Sequence, residues 1–442
     1  MPKIKLVQPD AQLPKQAAVC VIGGGVAGVS TALELAERGI DVVLLEKGEI
    51  AAEQSSRNWG WCRQMGRDAR EIPLIQVSMG LWDGMDARVE GQTGFNRCGI
   101  LYLCETDQQL AQKGDWFEKN AKPAGLATRM IGAAEANELQ PGCTKPWKGA
   151  LYTPNDGRAE PFIAVPLMAE ALRAKGGKVF TQCAVRGLET KGGRICSVVT
   201  EKGSIACDTV VLAGGAWSRR FCGNLGIALP QLTVINSVMR TEPIDTGLIR
   251  TCSGGGFTFR KRMDGGYTVT DNHFSVADIV PDSFRLFREF LPALMLDWSG
   301  LRLRLGKRFI AEASLKRRWA LDEVTPFEQV RILEPEPVND VLDGAAKALK
   351  EYYPVFKPMK IAERWAGAID AVPDAVPIIS KVEKLPGFHL CTGFSGHGFG
   401  LGPGAGKLMA EIVTGETTCV DPSPFRYTRF FDGTNPRPTT GL

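Results

Sequence analysis

One stretch limits the fold of this chain more than any other: AAVCVIGGGVAGVSTALELAERGIDVVLLE, Ala17 to Glu46. An apolar run breaks at three glycines, continues with apolar residues at helical spacing as far as Gly39, and resumes as a second apolar run closed by an acid. Continuous rather than alternating apolar runs mark strands buried on both faces. Strand, helix and strand of this length make one parallel βαβ unit. Gly23-x-Gly25-x-x-Gly28 stands where the first strand gives way to the helix. Its first glycine permits a tight turn, its second lets backbone approach a pyrophosphate, and its third lets helix and strand pack closely. The free amides of Val26 and Ala27 at the helix N-terminus favour an anion. Glu46, followed by Lys47, stands where an acid accepts hydrogen bonds from a ribose hydroxyl.

The next segment narrows the ligand. After Glu46 the chain gives SSRNWGWC, Ser55 to Cys62, rather than the further strand and helix of a nicotinamide enzyme. Ser55, Ser56, Arg57, Asn58, Trp59 and Gly60 offer hydroxyls, a guanidinium and backbone amides to phosphate or ribitol. LAGGAWS (Leu212–Ser218) and TGFSGHGFGLGPGAG (Thr392–Gly406) suit a ligand held at both ends. The latter reads as a loop feeding a helix at KLMAEIVTG, whose N-terminus would face the electron-rich end of a reduced flavin. FAD, held non-covalently, is the expected cofactor.

With 442 residues there is room for more than one domain. Glu71 to Arg88 reads as a helix and RCGILYLCET as a strand; residues 175–218 read as a glycine-punctuated meander feeding the strand TVVLAGG. Residues 221–360 differ in character. Within them SFRLFREFLPALMLDW (Ser283–Trp298) is expected to be a buried amphipathic helix rather than one lying on a membrane. The glycine-rich style returns from residue 361. The expected division is a dinucleotide-binding domain from 1–90, 150–220 and 361–442, with a substrate domain from 91–149 and 221–360. A net charge of +4 over this length argues against nucleic acid as the main partner. Twelve cysteines without a CxxC pair, and only three histidines, read as reduced thiols and no metal site. No apolar run reaches the length of a transmembrane helix. Cytoplasmic residence and a homo-oligomer are the default expectations.

GGGVAG with Glu46, the SSRN loop, AGGAWS, RWAGAIDAVPDAVPII and GFSGHGFG, in that order, resemble the FAD-dependent D-amino-acid oxidase superfamily, and its glycine oxidase, D-amino-acid dehydrogenase and secondary-amine oxidase members most closely. The resemblance implies an α/β fold: a doubly wound, Rossmann-type FAD domain with an inserted α+β substrate domain built on a large antiparallel sheet that roofs the flavin. It implies hydride transfer to flavin from a carbon bearing nitrogen, giving an imine that water hydrolyses. The acceptor of the electrons is oxygen, quinone or a partner subunit. It also implies positions. Arg57 and Asn58 lie by the pyrophosphate and ring, Val185 at the adenine end, and Ala213, Gly214 and Trp217 along the adenine diphosphate. Gly396, His397, Gly398, Phe399 and Gly400 border the flavin edge.

The chain departs from its relatives at Ile369, where many of them carry an arginine that clamps the substrate carboxylate. Arg260 could replace it, or be a solvated charge beside Lys261 and Arg262. Asp370 could favour a basic or N-substituted substrate, or cap a turn. Trp365, Asp370 and His397 are the catalytic candidates, His397 as a residue that orients the flavin rather than a base. Trp61, Arg260, His273, Trp365 and Asp370 are the substrate candidates. Trp59 and Trp61 wall the pocket or fill the core between domains. The competing readings are a quinone-linked dehydrogenase of the same fold and a flavin-binding or electron-transfer subunit without chemistry of its own.

Overall fold

The computed structural model describes residues 3–439 except 273, 297 and 299. Five parallel strands form the first sheet, in the order Phe388–Thr392, Thr209–Leu212, Val19–Ile22, Val42–Leu45 and Lys178–Phe180, with Ile378–Lys381 antiparallel at one edge. Val, Leu and Ile dominate these strands, and both faces are covered, as a parallel sheet requires. Helices Val26–Glu37, Ile72–Asp83, Pro161–Ala174 and Gly398–Thr414 pack on one face. On the other lies the three-stranded meander Val185–Lys191, Arg194–Thr200 and Gly203–Ala206.

The second sheet has ten strands and is mostly antiparallel, with two parallel pairings: Thr251–Gly254 with Ile100–Cys104, and Ser275–Asp278 with Leu301–Arg304. Helix Asn339–Tyr352 covers it through Leu342, Ala345 and Leu349, which meet Phe257, Phe259 and Tyr267. Strand Ile361–Ala371 pairs with Leu232–Thr241 along its length, and Gly149–Thr153 pairs with Ile100–Cys104. Both segments, grouped above with the dinucleotide domain, are thus hydrogen-bonded into the second sheet.

Two other expectations change. Gly398–Thr414 is a single helix, so most of the glycine-rich loop is helical. Ser283–Trp298 is not buried: helices Pro281–Arg285 and Phe287–Leu296 leave Phe284 at 68% and Met295 at 73% exposure, and nearby Ile310 at 72%. All twelve cysteines are free thiols, and no helix among the described residues is long and apolar enough to cross a membrane.

Candidate functional site

A cleft opens at the carboxyl ends of the parallel strands, lined by Ile22, Leu45, Leu212 and Thr392. That is where open α/β sheets take their ligands. Gly23, at φ +111°, turns the chain there; a side chain at Gly23 or Gly28 would run into the backbone of Ala213 or Gly23 respectively. Gly25 caps helix Val26–Glu37 without a side-chain bond, and Ser55 Oγ accepts from the Val26 amide at 2.8 Å. Glu46 takes the amides of Gly24 and Gly48, each at 2.7 Å. The lining thus brings together Gly23, Gly25, Val26, Ala27, Glu46, Lys47, Ser55, Asn58, Val185, Ala213, Gly214, Trp217, Gly396, Gly398 and Phe399. Lys47 spans the carboxylate of Glu53 and the carbonyls of Val330 and Arg331, with its ammonium over the Trp217 ring. Trp217 donates to the same Glu53 carboxylate.

Other expected residues lie outside this cleft. Gly28 is a packing position. Ser56 is buried and bonds only the Glu53 carbonyl. Arg57 closes a short helix, Gln54–Arg57, where a loop was expected; it is buried and donates to the carbonyls of Ala52 and Ala366 and to Glu334, tying that turn to strand Ile361–Ala371. Gly60 packs on Ala159 and Arg260, and the Gly400 carbonyl takes Ser78 Oγ and Trp82 Nε1. Burial pushes the Cys62 thiol well up, against the opposing pull of Arg260 and Arg67.

A second cavity of ≈ 580 Å³ lies between strands of the second sheet and the segments 54–67 and 395–399, and shares Gln54, Asn58, Gly396 and Phe399 with the cleft. Trp59 and Trp61 wall it, their rings edge to face at 5.4 Å. Tyr102, Trp116, Val238 and Ile369 add apolar surface. Its charged lining is Arg57, Arg63, Arg67 and Lys113, and no carboxylate lines it among the described residues.

The substrate candidates fare differently. Arg260 reaches neither cavity and is not solvated: at 1% exposure it forms a two-pronged pair with Glu160 (2.8 and 3.1 Å) and bonds the Trp59 carbonyl. Trp365 is a core residue, edge-on to Phe162, with Nε1 on the Arg57 carbonyl. Asp370 lines the cleft and not the second cavity. Its Oδ2 accepts from the amide of Gly393 at 2.7 Å, with Thr392 and Gln231 close by, so it anchors the loop before Gly396 instead of meeting a basic substrate. Burial pushes it up to about 6 against those bonds. His273 lies outside the described residues.

His397 lines the second cavity, with Nδ1 3.0 Å from Glu71. Burial holds the imidazole below its usual range. Burial also pushes Glu71 up, but His397 and Arg67 outweigh it and keep the carboxyl below the usual range. The ring therefore donates from Nδ1 to an ionised Glu71. Arg63, Arg67, Gln54 and Asn272 were missed. Arg63, Arg67 and Glu71 recur every fourth residue beyond the tryptophans, the one signal the sequence held.

Residues 18–412 match the family model described as FAD dependent oxidoreductase. The chain is 35% identical to the L-amino acid deaminase of Proteus myxofaciens, solved in complex with anthranilate, at a TM-score of 0.93 over 97% of each chain. It is 24% identical to a glycine oxidase of Pseudomonas aeruginosa, over 92% of this chain and 97% of that protein. It is 27% identical to the gamma-glutamylputrescine oxidoreductase of Escherichia coli, over 91% and 85% respectively. A match that runs through both sheets covers the whole architecture and not the glycine turn alone: the chain belongs to the family of FAD-dependent oxidoreductases.

Proposed function

We propose that this FAD-dependent oxidoreductase oxidises the C–N bond of an amino acid or amine to an imine, which water then hydrolyses. The observation that carries the reading is the shared wall: Gln54, Asn58, Gly396 and Phe399 border both the dinucleotide cleft and the second cavity. A substrate in that cavity would lie against the end of a ligand in the cleft. The glycine cradle at Gly23 and Gly25, at the N-terminus of helix Val26–Glu37, suits a pyrophosphate. Glu46 suits a ribose, and the Ala213–Trp217 turn and the Gly396–Phe399 loop suit the rest of the dinucleotide. When bound, FAD supplies the acceptor for a hydride from the carbon that bears nitrogen.

The chain's own residues do the remainder. Trp59, Trp61 and Ile369 exclude water from the reacting carbon. Arg57, Arg63, Arg67 and Lys113 place positive charge around the cavity and so disfavour an ammonium relative to the neutral amine. The neutral amine keeps the lone pair that drives hydride loss. The same charge tells against the basic substrate that Asp370 suggested.

Anaerobic mixing of the yellow protein with amines and with D- and L-amino acids tests the proposal. Loss of flavin absorbance with one substrate class is the expected result, and its return in air separates an oxidase from a quinone- or partner-linked dehydrogenase. Protein that stays yellow throughout would favour the electron-transfer subunit.

A further inference from the structure

Four residues that line the second cavity each carry a buried side-chain atom without a partner: Gln54 Oε1, which lies against Gly367, Trp61 Nε1, Arg67 Nη1 and Asn272 Oδ1. Buried polar atoms are nearly always paired, because an unmade bond costs about 1–3 kcal/mol. Four orphans on one wall system mark a place built for a polar guest. Their types describe it: two donors, one of them a cation, and two acceptors.

Arg67 is the informative member. It is 2% exposed, and its Nε and Nη2 are spent on the carbonyls of Arg63 (3.1 Å) and His397 (3.4 Å). Those bonds fix the plane of the guanidinium and leave Nη1 over. His397 adjoins Gly396, one of the residues common to cavity and cleft. Burial, with Arg63 close by, lowers the guanidinium to about 10, only partly offset by Glu71. A cation held uncomfortably in a carboxylate-free cavity is stabilised by an anion that brings its own charge.

Resting on the function proposed above, we infer that the cavity selects a free α-carboxylate, held by Arg67 Nη1 and the Trp61 indole N–H, with Gln54 and Asn272 accepting from the substrate nitrogen. The clamp comes from the loop after the tryptophans, not from the strand where Ile369 stands. Amines lacking the carboxylate are poor substrates, and so are diamines and amino acids with cationic side chains, which meet Arg57, Arg63 and Lys113. The site is thus a filter for anionic or neutral amino acids.

The test uses the FAD-loaded protein and two probes that are not oxidised, benzoate and benzamide, titrated against the visible flavin spectrum. Benzoate is expected to bind about 100-fold more tightly than benzamide. Arg67→Met should weaken benzoate at least 50-fold, Arg67→Lys should recover part of that loss, and Trp61→Phe, which keeps the ring and removes the N–H, should cost about 5-fold. In turnover, the ratio of kcat/KM for an amino acid to that for its decarboxylated amine should fall about 100-fold in Arg67→Met. If Arg67→Met fails to retain FAD, Arg67→Lys and Trp61→Phe carry the same comparisons. Benzoate affinity within threefold of wild type in the Arg67 and Trp61 variants, or wild type that bleaches as readily with the decarboxylated amine, would overturn the inference and leave C–N oxidation standing. A flavin that no amine or amino acid reduces overturns the proposed function instead, and the benzoate titration still decides the clamp.

Discussion

Asp156 holds the loop that carries Arg63 and Arg67: its two carboxylate oxygens accept from the amides of Gln64 (2.8 Å) and Met65 (3.1 Å). Burial pushes its carboxyl up to about 6 from 3.8, against those bonds. A carboxyl with a raised folded-state pKa binds its proton more tightly in the folded protein. Its contribution to stability is therefore full below about pH 4 and lost as pH rises to about 6. Asp156→Asn removes this titration. In urea unfolding, the stability of wild type minus that of the variant should fall by about 1 kcal/mol per pH unit from pH 4 to 6, then flatten; a difference constant with pH would refute it. Single residues are also where reading the chain fails most. Lys261 and Arg262 beside Arg260 suggest solvent, but its partner Glu160 comes from 100 positions away. Asp370, next to Ile369, shares a strand with a residue that lines the second cavity, yet strand alternation turns it to the other side, onto the loop at Gly393.

Helix Gly398–Thr414 shows the same effect for an element. GFGLGPGAG has the composition of a loop, and its glycines carry a real cost in helix propensity, about 1 kcal/mol each. Close packing offsets it. A side chain at Gly402 would strike Val26, one at Gly404 would meet the Leu74 carbonyl and Ser78, and one at Gly406 would strike the backbone of Ser30. The glycines let this helix lie directly against Val26–Glu37 and Ile72–Asp83, bringing the Gly396–Phe399 loop to the cleft. Gly406→Ala should therefore destabilise by about 1–3 kcal/mol and weaken FAD retention. Gly344→Ala, exposed on helix Asn339–Tyr352 with nothing within 4 Å of the added carbon, should stabilise by about 0.5–1 kcal/mol. Thermal unfolding with and without added FAD reads both; equal shifts of the same sign would refute the packing argument. The elements of the βαβ unit and the meander were legible because each states its own period. The helical state of Gly398–Gly406 was not, because the helices that make glycine favourable lie elsewhere in the chain.

Across the whole molecule, the two sheets meet along strand Ile361–Ala371, which pairs with Leu232–Thr241 while its Ala368 and Asp370 line the cleft. Stability is unevenly spread over this frame. Phe257, wholly buried between the ten-stranded sheet and helix Asn339–Tyr352, should cost about 3–5 kcal/mol on replacement by alanine. Phe287→Ser and Met295→Ser, on the exposed helix face, should each shift stability by no more than about 0.5 kcal/mol. Denaturant titration compares them, and a large loss in the helix variants would show that the face is covered. From sequence alone came the parallel βαβ unit, the glycine cradle with Glu46, and the order of motifs along a flavin. Each depends on spacing within one short segment, where covalent connection fixes geometry. Which arginines line the second cavity, which tryptophans wall it and which strands join the second sheet were decided only by tertiary structure. Those answers turn on partners hundreds of residues apart, and on the burial that leaves Arg67 a free donor and gives Arg260 none.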